Sequence, residues 1–139
     1  MDDQSPPEKK HLFTKLNYLL DLEYLKNLEI VAPGGDIQKF MSEISILFLR
    51  EAPNCVQELN KALGKADLKG IKNFSFRLRG VCSGIGAKYM IDLCHQIEAA
   101  AQDKDVGTCR VVGDQLNDAL LVTRDQVQAY MAQLPKTKI

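Results

Sequence analysis

Lysines and arginines balance aspartates and glutamates at 18 each, so the chain carries no net charge. No bulk attraction to nucleic acid or to a membrane surface is implied by such a balance. Apolar runs stop after a few residues, far short of the roughly 20 that a membrane-spanning helix needs. The opening MDDQSPPEKK is acidic, polar and proline-containing, without the apolar stretch of a signal peptide. Four cysteines (Cys55, Cys82, Cys94, Cys109) stand far apart with no C-x-x-C pair, so they read as reduced thiols and not as zinc ligands. Runs that alternate apolar and polar residues, the mark of a strand, are also missing. No paired carboxylates, nucleophile–base set or phosphate-cradling glycine loop stands out, so no enzyme, metal or cofactor chemistry is expected. The one glycine-rich run, Gly84-Ile85-Gly86-Ala87, comes after a helical pattern and so is no dinucleotide fingerprint. Histidine occurs twice, at His11 and His95.

What is present is helical periodicity, in a chain whose 139 residues suit one domain. Residues 1–7 are expected to be disordered, 8–135 to form a single helical domain, and 136–139 to fray. Leu12, Leu16, Leu19 and Leu20 mark a first helical stretch, and Tyr24, Leu25 and Leu28 a short second one. Pro33-Gly34-Gly35 is a turn, with Asp36 placed to cap the next helix. Ile37, Phe40, Met41, Ile44, Leu47 and Phe48 share one face. Pro53 should kink or split that helix before Val56, Leu59 and Leu63 resume it and Gly64 ends it. Another helix runs from about Asp67 to Ser83 or beyond, and the next from Lys88 to Gln102 with Met90, Leu93, Cys94, Ile97 and Ala101 inward. After a loop from Asp103 to Gly107, the last runs from about Thr108 to Leu134. Its stripe is Val112, Leu116, Ala119, Thr123, Val127, Tyr130 and Leu134. Short connections favour antiparallel neighbours, so the expected architecture is all-α, an up-and-down four-helix bundle with additional N-terminal helices.

The segment KNFSFRLRGVCSGIGA departs from ordinary bundle material. Ile71, Phe74, Leu78, Val81 and Ile85 make its core stripe, which leaves Phe76 nearly opposite, with Gly80, Ser83 and Ala87 on its side, Lys72 and Arg79 beside it, and Asn73 and Gly84 on the other flank. Glycine inside a helix costs about 1 kcal/mol relative to alanine, and it is useful where another backbone must come close. Two readings of Phe76 are open. It packs beneath the N-terminal helices as core, or it anchors an interface, a role in which aromatics are enriched. Arg77 and Arg79 are either a solvated face or part of that interface.

The stretch Phe76-Arg77-Leu78-Arg79-Gly80-Val81-Cys82-Ser83-Gly84-Ile85-Gly86-Ala87 resembles the signature H-x-L-K-G-S-S-x-x-I-G-A of the histidine-containing phosphotransfer proteins, most closely the plant members. Leu78, Gly80, Ile85, Gly86 and Ala87 match, and Arg79 stands for the lysine. The order of landmarks is similar too: Leu22-Glu23-Tyr24 through Leu28, Pro33-Gly34-Gly35, Phe40, Glu43, Leu47-Phe48, Glu58-Leu59, Cys94 and the loop at Asp103–Gly107. In that family a histidine on the outer face of a bundle helix takes phosphate from one receiver domain and passes it to another. The glycine leaves room for the receiver, and the basic residue helps balance the phosphoryl charge. Here Phe76 stands at the histidine position, and Val81 and Cys82 replace small polar residues. A phenyl ring has no nitrogen lone pair and cannot form a phosphoramidate.

The resemblance therefore implies a protein that binds receiver domains of hybrid histidine kinases and response regulators without carrying phosphate. Such a protein is a monomeric negative regulator of a phosphorelay, in cytoplasm and nucleus, and in a plant it would dampen cytokinin signalling. Its contact residues would be Lys72, Asn73, Phe76, Arg77, Arg79, Gly80, Ser83 and Gly84, with Arg79 and Lys72 facing acidic groups of the receiver. Two alternatives stand beside it. One is an active carrier that uses another histidine; His95 is disfavoured by Asp92 and Glu98 on its face, because acidic neighbours repel a phosphoryl donor. The other is a helical adaptor for an unrelated partner, which would not need the surface around Phe76, Arg79 and Gly80.

Overall fold

Four of the five helices in the computed structural model, which describes residues 18–134, begin at an aspartate whose carboxylate accepts an otherwise orphaned backbone amide. Asp21 accepts from Tyr24 N at 3.0 Å and starts α1 (Leu22–Ile30). Asp36 accepts from Lys39 N and starts α2 (Ile37–Gly64). Asp67 and Asp105 do the same for α3 (Leu68–Ile85) and α5 (Val106–Ala132). Each such cap is worth about 1 kcal/mol relative to alanine. Helix α4 (Lys88–Gln102) starts from Ala87 without a side-chain cap. A 3-10 turn at Pro33–Gly35 joins α1 to α2.

Helices α2 to α5 form the expected up-and-down bundle: α3 packs on α2 and α4, α5 packs on α4 and α2, and α1 lies against α2. Among the described residues there is no strand, and no helix is long and apolar enough to cross a membrane. The expected disordered start, most of the first helical stretch, His11 and the frayed tail lie outside the described residues.

Three expectations need correction. Helix α2 passes through Pro53 without a break. Ala52, Cys55 and Val56 on either side are all buried in the same core, which holds both halves in line despite the missing backbone donor. The last helix starts at Val106, so Gly107 belongs to its first turn. The buried stripes are also rotated from their predicted positions. On α2, Leu47 is 50% exposed and Ser45 is buried in its place. On α3 the fully buried positions are Ile71, Ser75, Leu78, Cys82 and Ile85, while Phe74 and Val81 are half-buried. Ser75 can occupy the core because its hydroxyl donates to the Ile71 carbonyl at 2.7 Å, which removes the penalty of a bare buried hydroxyl. The stripes predicted for α4 and α5 are inward, with Tyr130 half-buried and its phenol donating to Glu29 on α1.

The corner between α3 and α4 is fixed by Gly86, whose left-handed backbone (φ 70°) ends α3. A side chain here would be strained, and its first carbon would also lie 2.7 Å from the Tyr24 ring. The Asp21 amide donates to the Gly86 carbonyl at 2.8 Å, and the Tyr24 hydroxyl lies 3.4 Å from the Gly84 carbonyl. The N-terminal helix α1 is thereby tied to the end of α3, beside the outer face of that helix.

Candidate functional site

The outer face of α3 carries Phe76, which is 60% exposed. Among the described residues Phe76 is therefore not part of the core: its ring points away from the stripe of Ile71, Leu78 and Ile85, and no described N-terminal helix covers it. One turn further on, Gly80 is exposed, and a side chain built there would meet nothing within 4 Å. No contact among the described residues requires a glycine at this position. Gly84, a turn beyond, is equally open. The ridge thus presents an aromatic ring followed by two stretches of bare backbone.

The charged residues around the ring are held, not loose. Arg79 donates from Nε to Glu98 Oε2 at 2.8 Å and from Nη2 to Glu98 Oε1 at 3.2 Å, a two-pronged ion pair between α3 and α4. Both side chains are about three-quarters covered. The hydrogen bond from Arg79 to Glu98 raises the guanidinium further above its usual value. The same guanidinium lies over the Phe76 ring, 5.0 Å from its centroid, a distance at which cation and ring face attract. On the other side of Glu98, His95 Nδ1 is 3.9 Å from Oε2, and His95 itself is exposed.

The remaining predicted contact residues divide by direction. Lys72 is exposed and donates to the neutral amide of Gln102 at 3.3 Å. Asn73 is exposed. Arg77 is exposed but leans over Phe74, 5.9 Å from the ring centroid, toward the α2 side. Ser83 is exposed, and its hydroxyl donates back to the Arg79 carbonyl at 2.8 Å. Ala87, placed by periodicity on the side of Phe76, is instead fully buried. The helix ends at Ile85, and the helical spacing does not carry across Gly86. Phe76, Arg79, Gly80 and Ser83 are thus brought together, with Lys72 a turn before them, while Arg77 belongs to a different flank.

Glu98 and Tyr24 were not predicted as parts of this face. Glu98 was legible only as an acidic neighbour of His95 on its own helix. Its pairing with a residue 19 positions earlier depends on how α3 and α4 cross. The four cysteines are free and buried, from four different helices. Burial pushes all four thiols up, Cys82 well above its ordinary value and Cys94 to about 12. No group of three or more histidine, cysteine or acidic side chains placed to hold a metal occurs among the described residues.

Comparison with known proteins agrees with this architecture. Residues 43–134, which take in all of α3, α4 and α5 and most of α2, match the family model described as the Hpt domain. No curated protein sequence matches the chain. Among solved structures, the crystal structure of histidine-containing phosphotransfer protein B (HptB) from Pseudomonas aeruginosa is similar, with a TM-score of 0.72 over 85% of this chain and 97% of that one. At 16% identity, that likeness speaks for the fold alone. With the family model spanning well over half of the sequence and the bundle shared, the chain belongs to the Hpt domain family.

Proposed function

We propose that this protein docks on receiver domains of two-component phosphorelays without accepting phosphate, and so competes with histidine-bearing carriers. Membership of the Hpt family ties the chain to phosphorelay signalling. The observation that carries the finer reading is Phe76: an exposed aromatic ring at the position where the family signature has its histidine, followed by the open backbone of Gly80. The docking ridge is retained, and the atom that would take phosphate is absent. A relay of this kind requires contacts that form and break quickly, and interfaces of about 1,200 Å² or less suit that need. An affinity near micromolar, corresponding to about −8 kcal/mol, is expected.

On this reading the protein is a monomeric negative regulator acting in cytoplasm and nucleus. Its partners are receivers of hybrid histidine kinases and response regulators, and in a plant its output would be weaker cytokinin signalling. Active phosphotransfer through His95 is disfavoured by its surroundings, with Glu98 beside it and the Asp92 carboxylate one turn before it.

The test is binding of the purified chain to a panel of receiver domains, together with phosphate transfer from phosphorylated receivers. Binding without label on the parent, and label on a Phe76→His variant, is the expected result. A folded parent that binds no receiver would overturn the reading. Label on the parent that disappears in His95→Gln would make it a carrier instead.

A further inference from the structure

A phosphoryl group attached at position 76 would bring close to two negative charges at neutral pH. Some cation must balance them, and the nearest one built into the fold is Arg79, whose guanidinium lies 5.0 Å from the centre of the Phe76 ring. That cation is already engaged. Nε and Nη2 both point at Glu98, at 2.8 and 3.2 Å, and its central carbon lies over the phenyl ring. The pair Arg79–Glu98 is neutral as a unit, because the guanidinium over the ring is bonded to the carboxylate. Because both side chains are about three-quarters covered, solvent screens this arrangement less than it would a loose surface pair. Of the other nearby basic groups, Lys72 keeps its charge but is an exposed ammonium, bonded to a neutral amide and screened by solvent, and Arg77 leans away over Phe74.

We propose that Glu98 is a positioning residue that disfavours phosphate on this face, independently of Phe76, by holding Arg79 in an ion pair that offsets the cation lying over position 76. This rests on the reading of position 76 as the phosphoacceptor position. It has a specific consequence: supplying an imidazole alone yields an acceptor that takes up phosphate slowly, and removing the Glu98 charge as well yields a faster one. The ion pair also fixes Arg79 over the ring, so in the parent protein Glu98 presents Phe76 to a partner as a rigid, electrically neutral anchor.

Phosphoramidate, a small donor that needs no receiver domain, separates these effects. The imidazole nitrogen introduced at position 76 forms a new P–N bond while the donor P–N bond breaks. The departing amine takes up the proton released from the imidazole and leaves as ammonia. Uptake is compared in Phe76→His, Phe76→His with Glu98→Gln, and those two with Arg79→Gln added. Phe76→His with Asp92→Asn serves as control for loss of an acidic charge elsewhere on α4. Far-UV circular dichroism confirms that each variant is helical.

The expected result is uptake at least about tenfold faster in the Glu98→Gln double variant than in Phe76→His alone, equivalent to about 1.4 kcal/mol on the barrier. The gain should vanish with Arg79→Gln and should be absent from the Asp92→Asn control. Equal rates with and without Glu98→Gln, no uptake by either, or an equal gain from Asp92→Asn would each overturn the proposal. Receiver binding by the parent is measured in parallel. Its absence would sink the docking reading and leave the Glu98 result standing, since phosphoramidate requires no docking.

Discussion

Truncating Phe76 to alanine should weaken receiver binding while leaving the fold alone, and the size of the effect can be worked from the exposure of the ring. A phenylalanine presents roughly 200 Å² to be buried, and 60% of it is exposed in the free protein. About 120 Å² is therefore available to a partner, worth about 3 kcal/mol at roughly 25 cal/mol per Å². Complete coverage in the complex would make the loss about a hundredfold in Kd, and half coverage about tenfold. The loss from folding stability is much smaller. The ring is outside the core, and within the chain it gives up chiefly its contact with the Arg79 guanidinium, worth about 0.5–1 kcal/mol at a surface site. Titration calorimetry against a receiver that binds the parent, at fixed ionic strength, would measure the first quantity, and urea unfolding the second. A Kd within threefold of the parent would refute the assignment of Phe76 as the anchor. A loss of binding accompanied by several kcal/mol of destabilisation would show that the ring supports the fold instead.

Gly80 separates folding from docking in a different way. Since a side chain there meets nothing within the protein, Gly80→Ala should stabilise the helix by about 0.5–1 kcal/mol, read as a rise in Tm. Gly80→Trp should fold but bind receivers at least tenfold more weakly; unimpaired binding by this variant would mean the receiver does not approach this ridge. The buried thiols predict an alkaline limit. Their neutral form is favoured by burial, and Cys94 is pushed up from an ordinary value near 9 to about 12. The native state thus keeps protons that the unfolded chain releases. The stability that Cys94 contributes is full below pH 9 and is lost as pH rises from about 9 towards 12, at up to about 1.4 kcal/mol per pH unit, and the other three raised thiols act in the same direction. Urea unfolding from pH 7 to 11 should show this decline, and Cys94→Ala should make it shallower; an unchanged slope would refute the cause.

The helical class, the turn at Pro33-Gly34-Gly35, the cap at Asp36 and the stripes of α4 and α5 were all legible in the chain, because caps, breakers and periodicity are local and each is set by residues within one or two turns. Periodicity placed Phe76 opposite 71, 78 and 85 and left it either beneath the N-terminal helices or in solvent; its exposure of 60% was decided by how the neighbouring helices pack. Polarity was the misleading signal within α2 and α3. Ser45 and Ser75 look like surface residues and are buried, while Leu47 looks like core and is half exposed. Ser75 is accommodated because its hydroxyl bonds to its own preceding turn, whereas the Ser45 hydroxyl is buried without a hydrogen-bond partner among the described residues, so the burial of both follows the neighbouring helices and not their polarity. Pro53 likewise reads as a break, and the core on both sides of it keeps the helix whole. The sequence alone therefore determined the helical class, the caps and the residue that stands at position 76. Only the tertiary structure decided that Arg79 is bound to Glu98 and laid over Phe76, because that arrangement joins two helices whose crossing is set by core packing and not by any spacing along the chain.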